Sequence, residues 1–132
     1  MVLADSSVWI DYFKGIANWQ TDRLDSLLET EPVAVADLIF TEVLQGFDRD
    51  SDFREAHSFF AGLPFYELGG YDVCLQAAKN YRTLRRKGIT VRKTIDVIIA
   101  TGCIEWRFHL LHNDRDFDAM EGSIGLKVVH RN

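Results

Sequence analysis

Four carboxylates stand on or beside apolar elements of this sequence. Two stand just after short apolar segments typical of strands, and two lie on segments with helical apolar spacing. The four residues are Asp5, Glu42, Asp96 and Asp114. Carboxylates within a few ångströms raise one another's pKa unless a cation balances their charge. If the fold brings these acids together, they form a metal site.

The donor atoms determine the chemistry of such a site. Mg²⁺ and Mn²⁺ are hard cations that take carboxylate oxygens and keep water or substrate phosphate in the remaining positions. Zinc is disfavoured, because no set of histidines and cysteines stands beside these acids. A hard cation held there would activate water against a scissile phosphate, which is phosphodiester hydrolysis.

Each acid also has a purely structural explanation. Asp5 would cap the helix that follows it. Asp96 would be favoured by the helix dipole in a first turn capped by Thr94. Asp114 would belong to a turn, and Glu42 would be a half-exposed helical residue. Spacing along the chain leaves both explanations open, because it does not prove that the acids converge.

Five short apolar segments are predicted strands, and five longer amphipathic or apolar segments are predicted helices. The strands fall at 2–4, 33–36, 65–68, 108–112 and 127–129, and the helices at 22–30, 37–48, 52–61, 71–87 and 95–106. Their alternation predicts an α/β domain with a mainly parallel five-stranded sheet covered on both faces. Functional clefts in such sheets lie outside the carboxyl ends of the strands, where Asp5 and Asp114 would emerge.

Length and composition predict one domain over residues 1–132. The chain is 47% hydrophobic and has two cysteines, so its core needs no disulfide framework. A net charge of −5 argues against binding nucleic acid through overall positive charge. No apolar run has the length of a membrane span and the first residues lack a signal-peptide pattern, so we expect a cytoplasmic protein without a membrane partner.

Four motifs occur in order along the chain. They are Leu3-Ala4-Asp5-Ser6-Ser7-Val8-Trp9-Ile10-Asp11, Thr41-Glu42-Val43-Leu44-Gln45-Gly46, Thr94-Ile95-Asp96-Val97-Ile98-Ile99-Ala100 and Leu111-His112-Asn113-Asp114-Arg115-Asp116-Phe117. Over essentially the whole chain, this set resembles PIN-domain ribonucleases, and most closely the VapC-type toxins of toxin–antitoxin modules. The resemblance implies a three-layer α/β/α sandwich and an endoribonuclease that uses Mg²⁺, or Mn²⁺ in its place, to hydrolyse tRNA, rRNA or mRNA. It also implies a cognate VapB-type antitoxin and a homodimer.

The same resemblance implies roles for the acids. Asp5 and Asp96 are the expected direct metal ligands. Asp114 and a fifth acid, Asp116, complete the coordination directly or through water. Glu42 orients the attacking water or binds a second ion.

Two polar residues are expected to support the acids. Ser6 would hold a phosphate or a carboxylate in place. Asn113 stands where Thr or Ser is common in the family, and its amide can still donate and accept hydrogen bonds.

Basic residues gather before the Asp96 segment. They are Arg82, Arg85, Arg86, Lys87, Arg92 and Lys93. They would either form a solvated face near a helix C-terminus or contact RNA phosphates. Their position beside the expected cleft favours RNA contact for Arg82, Arg86, Arg92 and Lys93.

Two other functions compete with hydrolysis. A strand-end Asp in an α/β domain also suits phosphoryl transfer through an aspartyl-phosphate. The Asp-x-Asp motif and the adjacent acidic pair of the known enzymes and receiver domains are absent from the Asp5-Ser6-Ser7 segment. A non-catalytic PIN-fold module that binds RNA or protein is the alternative. Because such modules are expected to lose acids and this chain has the full set, the sequence favours catalysis.

Overall fold

The computed structural model describes residues 1–131. Its four strands are β1 (Val2–Ala4), β2 (Val33–Ala36), β3 (Phe65–Tyr66) and β4 (His109–Leu111). Its seven helices are α1 (Ser6–Phe13), α2 (Trp19–Thr30), α3 (Asp37–Gln45), α4 (Asp50–Ala61), α5 (Tyr71–Arg86), α6 (Thr94–Trp106) and α7 (Asp116–Ile124). The predicted α/β class is confirmed.

The strands form one parallel sheet in the order β3-β2-β1-β4. The central strands β1 and β2 are buried along their whole length, as expected for parallel strands covered on both faces. The cover comes from two groups of helices in mutual contact, α1 to α4 and α5 to α7. The three strand pairings among the described residues are parallel, so the carboxyl ends of β1 and β4 meet at one edge.

The predicted fifth strand is wrong. Residues 127–129 make a single bridge, Leu110 with Val128, supported by two backbone hydrogen bonds of 2.9 Å. The chain then leaves the sheet, because His130 lies 2.8 Å from Glu121 of α7 and the carbonyl of Arg131 accepts a bond from α2. One rung does not make a strand, so the sheet has four.

Helix α6 is held from several sides, and this fixes the position of Asp96 in its first turn. Residues 96–97 and 99–103 are buried. A Cβ added at Gly102 would lie 3.0 Å from Cδ2 of Leu68, so the glycine permits close packing. No helix within the described residues has the length and apolar character to cross a membrane.

Candidate active site

Asp5 lies where β1 ends and acts as the N-cap of α1. Its Oδ2 accepts hydrogen bonds from the backbone N–H of Ser7 at 3.2 Å and from Ser7 Oγ at 2.8 Å. The residue is only 3% exposed, and its Oδ1 has no hydrogen-bond partner within residues 1–131. Burial raises the pKa of Asp5, and the bonds from Ser7 partly oppose that shift. The capping role is real, but it uses only one of the two carboxylate oxygens.

Asp96 presents a second buried carboxylate. It is 5% exposed, and its Oδ2 is also without a hydrogen-bond partner in the described part of the chain. Burial raises the pKa of Asp96 to about 7, and the charges of Asp5 and Asp114 add to the shift. A surface acid in a first helical turn would not carry these features, so the simple dipole explanation does not account for Asp96.

Asp114 and Asp116 converge with Asp96. One carboxylate oxygen from each of the three lies within 4.8 Å of the others. The backbone N–H of Asp116 donates to Asp114 Oδ1 at 3.0 Å, which ties the two acids together after β4. The Arg92 guanidinium donates to Asp116 Oδ2 at 3.0 Å and lies 3.4 Å from Asp114 Oδ1.

Glu42 enters the site from α3. Its Oε1 accepts a 3.2 Å hydrogen bond from Ser6 Oγ at the start of α1. Burial raises the pKa of Glu42, and the charge of Asp5 raises it further. The structure therefore places Ser6 against a carboxylate, one of its two expected contacts.

Asn113 joins the site through its backbone and side chain. Its N–H donates to Ser7 Oγ at 3.2 Å, and its Oδ1 accepts from Gln20 Nε2 at 3.2 Å. Ser7 thus links the loop after β4 to Asp5. Sequence reasoning missed this role of Ser7, although the Asp5-Ser6-Ser7 cap signal pointed to the segment.

His112 is another residue that sequence reasoning left outside the site. Its side chain is 10% exposed, and its Nδ1 accepts a 3.2 Å hydrogen bond from the backbone N–H of Asp114. Burial lowers the pKa of His112, so the neutral ring is favoured. His109, in contrast, is exposed. The only sequence signal for His112 was its place immediately before Asn113 and Asp114.

The four basic residues proposed to contact RNA divide into two pairs. Arg92 is bonded to the acids, and the charge of Lys93 lowers the pKa of Asp96 and of Glu42, which places Lys93 near both. Arg82 and Arg86 are exposed on α5. Within residues 1–131, neither makes a salt bridge to an acid of the site.

The donor set fits a hard divalent cation. Asp5 and Asp96 each contribute a buried oxygen that has no hydrogen-bond donor among residues 1–131, and carboxylate oxygens of Asp96, Asp114 and Asp116 approach within 4.8 Å of one another. Buried charged oxygens without partners are costly unless a cation or a proton compensates them. Carboxylate oxygens match the preference of Mg²⁺ or Mn²⁺.

We expect Ser7→Ala to lower both stability and any metal-dependent activity of the site. The change removes the 2.8 Å donor to Asp5 and the acceptor for Asn113 N–H. Hydrogen bonds to charged groups contribute about 1.5–3 kcal/mol, and loss of support around metal ligands reduces activity about 10- to 100-fold. Urea denaturation and initial cleavage rates measure the two effects. Ser26→Ala, on the exposed face of α2, is the control, and equal behaviour of the two variants would contradict the prediction.

The fold and the acidic site together define a class of protein. The family model for the PIN domain matches residues 2–123. The chain therefore belongs to the PIN domain family.

Named relatives place the chain within that family among the VapC ribonucleases. It is 31% identical over 131 residues to VapC ribonuclease Mb1587 of Mycobacterium bovis and to ribonuclease VapC11 of Mycobacterium tuberculosis, covering 98% of both chains in each case. A solved structure of VapBC2 from Rickettsia felis, bound to a DNA fragment from their promoter, matches with a TM-score of 0.77 and 14% identity, covering 98% of both chains. This structural likeness supports the fold.

Proposed function

We propose that this chain is the toxin of a toxin–antitoxin module and a divalent-metal-dependent endoribonuclease, and that residues 1–132 act as one domain. The observation that supports this most directly is the pair of buried carboxylate oxygens, on Asp5 and Asp96, that lack hydrogen-bond partners within residues 1–131. The VapC ribonuclease relatives support RNA as the substrate, with tRNA, rRNA and mRNA as the candidate classes.

In this proposal, Asp5 and Asp96 would hold Mg²⁺, or Mn²⁺ in its place, and Asp114 and Asp116 would complete its coordination directly or through water. When bound, the cation would supply positive charge at the scissile phosphate and would lower the pKa of water. Asp5 keeps its orientation through the two hydrogen bonds from Ser7. Asn113 keeps Ser7 in place through its backbone N–H.

Glu42 is the proposed base that orients water and accepts its proton. Its raised pKa suits this role, because a carboxylate of ordinary pKa is a weak base near neutral pH. The hydroxyl of Ser6 holds Oε1 of Glu42 at 3.2 Å and leaves Oε2 for the water. In a site with two ions, Glu42 binds the second one instead.

The basic residues are proposed to hold the RNA backbone. Arg92 is 67% exposed at its side chain, so it can contact a phosphate beside Asp114 and Asp116. Lys93 lies next to it in the chain, while Arg82 and Arg86 extend the basic surface along α5. Their local positive charge offsets the net charge of −5 where RNA binds.

The proposed partners are a cognate VapB-type antitoxin and a second copy of the chain. The solved VapBC2 complex from Rickettsia felis, which shares this fold, supports the antitoxin. The proposed site of action is the cytoplasm, where RNA and a newly made antitoxin are found. The alternative is a non-catalytic PIN-fold module that binds RNA or protein. Such a module has no need of five acids around one site, so the geometry favours the nuclease.

We expect cleavage of RNA to require the cation. Purified, antitoxin-free protein is incubated with total cellular RNA in Mg²⁺, in Mn²⁺ and in EDTA. Discrete fragments with 5′-phosphate and 3′-hydroxyl ends are expected with either cation and none with EDTA. Cleavage that persists in EDTA would contradict the metal mechanism. A folded protein that binds RNA in Mg²⁺ and Mn²⁺ but cuts nothing would favour the binding module.

A further inference from the structure

A cavity of about 390 Å³ opens beside the acidic site and is not used by the mechanism above. Four parts of the chain form it: the start of α2, the loop after β4, helix α7 and the C-terminal segment. The residues that matter for the argument are Trp19, Gln20, His112, Asn113, Asp114 and Asp118. We call it the Trp19 cavity. Its volume lies within the range of small-ligand pockets, about 300–1,000 Å³.

The Trp19 cavity adjoins the reacting end of the molecule. Asp114 lines the cavity and also belongs to the carboxylate cluster with Asp96 and Asp116. A nucleotide with its phosphate at the carboxylate cluster therefore has this cavity beside it, along the loop after β4. A part of the substrate directly beside the scissile phosphate would lie within reach of the cavity.

The cavity lining suits a nucleobase better than a phosphate. The lining includes the three carboxylates of Asp114, Asp118 and Glu121 and the two guanidinium groups of Arg115 and Arg131, so it offers a phosphate no excess of positive charge. Trp19 supplies an aromatic surface, and stacking on an aromatic side chain is the common way in which proteins hold an unpaired base.

Polar groups for the edge of a base are also present. Gln20 is 8% exposed, and its Nε2 is bonded to Asn113 Oδ1 at 3.2 Å. That bond leaves Oε1 of Gln20 as an acceptor and Nδ2 of Asn113 as a donor. His112 accepts at Nδ1 from Asp114 N–H, so its neutral ring carries the proton at Nε2, 3.8 Å from Asp118 Oδ1.

We propose that the Trp19 cavity binds one unstacked nucleobase of the RNA substrate, next to the cleaved bond, with Trp19 as the stacking residue and the Gln20–Asn113 pair at its edge. This inference rests on the proposed ribonuclease function and deepens it. It assigns to the start of α2 a part in choosing where the RNA is cut.

The test uses the full chain and a short RNA oligonucleotide that contains a cleavage site found with total RNA. Trp19→Ala is expected to raise KM about 5- to 150-fold with little change in kcat, because stacking is present in both the bound and the transition state. Trp19→Phe is expected to retain most of the affinity. Trp106→Ala, which removes an exposed tryptophan outside the cavity, is the control.

Abasic oligonucleotides locate the base. Removing the base that enters the cavity should raise KM for the wild-type protein by a similar factor, and should add little in Trp19→Ala, because the two changes remove the same contact. The proposal would be overturned if, at every position of the oligonucleotide, base removal and Trp19→Ala raised KM independently, so that their factors multiplied. An unchanged KM in Trp19→Ala would also overturn it. Neither result would contradict the ribonuclease function.

A second readout does not depend on cleavage. The four ribonucleosides are titrated without metal while the indole N–H signals are followed by NMR. A shift of the Trp19 signal at millimolar nucleoside supports the base site, whether or not the protein cuts RNA. Absence of cleavage together with such a shift would count against the ribonuclease function and not against the base site. No shift with any of the four nucleosides would overturn the base site.

Discussion

Asp5→Asn is expected to reduce RNA cleavage by about 10³-fold or more, because a metal ion contributes several kcal/mol of charge stabilisation and each 1.36 kcal/mol is tenfold in rate. Asparagine keeps the shape of the side chain but removes the negative charge from an oxygen that has no other partner within the described residues. Initial rates on total RNA and on a defined oligonucleotide, with saturating Mg²⁺, measure the loss.

The same variant is expected to fold normally. Asparagine is as good an N-cap as aspartate, so it can still accept the hydrogen bonds from Ser7. It also avoids burying a charge, which favours the folded state when no cation is bound. Loss of activity without loss of stability is therefore the expected signature. Glu105→Gln, an exposed acid at the other end of α6, is the control and should keep full activity. Retained cleavage by Asp5→Asn would remove Asp5 from the mechanism.

Asp96→Asn is expected to stabilise the protein in EDTA at neutral pH, by an amount that grows with pH. Asp96 has a pKa of about 7 in the folded protein, against 3.8 for an ordinary Asp, so the folded state holds its proton more tightly. Below pH 4 the carboxyl is protonated in both states and carries no penalty. As pH rises from about 4 to about 7, the unfolded state loses its proton first and the wild-type free energy of unfolding falls. Above pH 7, this difference in pKa lowers the free energy of unfolding of the wild type by an amount on the order of 4 kcal/mol.

Urea denaturation of wild type and Asp96→Asn in EDTA, at pH 4.5, 6 and 8, measures this difference. Subtracting the two proteins cancels the contribution of other titrating groups that the substitution leaves unchanged. Addition of Mg²⁺ is expected to stabilise wild type much more than the variant, because a ligand that binds only the folded state adds to its stability. A difference that does not change with pH, or an equal response of both proteins to Mg²⁺, would contradict the assignment.

These two expectations share a physical origin. The site gathers acids that the folded protein accommodates poorly without a counter-charge: burial raises the pKa of Asp5, Glu42 and Asp96, and neighbouring carboxylates raise the pKa of Glu42 and Asp96 further. Grouping these acids lowers the stability of the cation-free protein, and such a loss of stability is common at functional sites. Arg92, bonded to Asp114 and Asp116, compensates only the exposed side of the cluster.

Much of the fold was predictable because it depends on local burial. The apolar segments 2–4 and 33–36 are strands, and the stripe in 71–87 is helix α5, since residues that face a core repeat with the period of their element. Asp5 was predictable as a strand-end acid for the same reason. The start of α2 was missed by three residues, because its boundary is set by the Asn18–Thr21 capping box and not by apolar spacing.

The sequence by itself determined which residue types stand on its helices and just after its strands, and with them the oxygen-only donor set. Only the tertiary structure decided their distances: Asp96 meets Asp114 and Asp116 because α6 packs beside β4 and α7. The tertiary structure also limits the sheet to four strands. The last segment leaves the sheet where His130 contacts Glu121 and the carbonyl of Arg131 accepts a hydrogen bond from α2. Periodicity reports which side of an element is buried, whereas distances between elements depend on packing between residues far apart in the chain, and no local pattern records them.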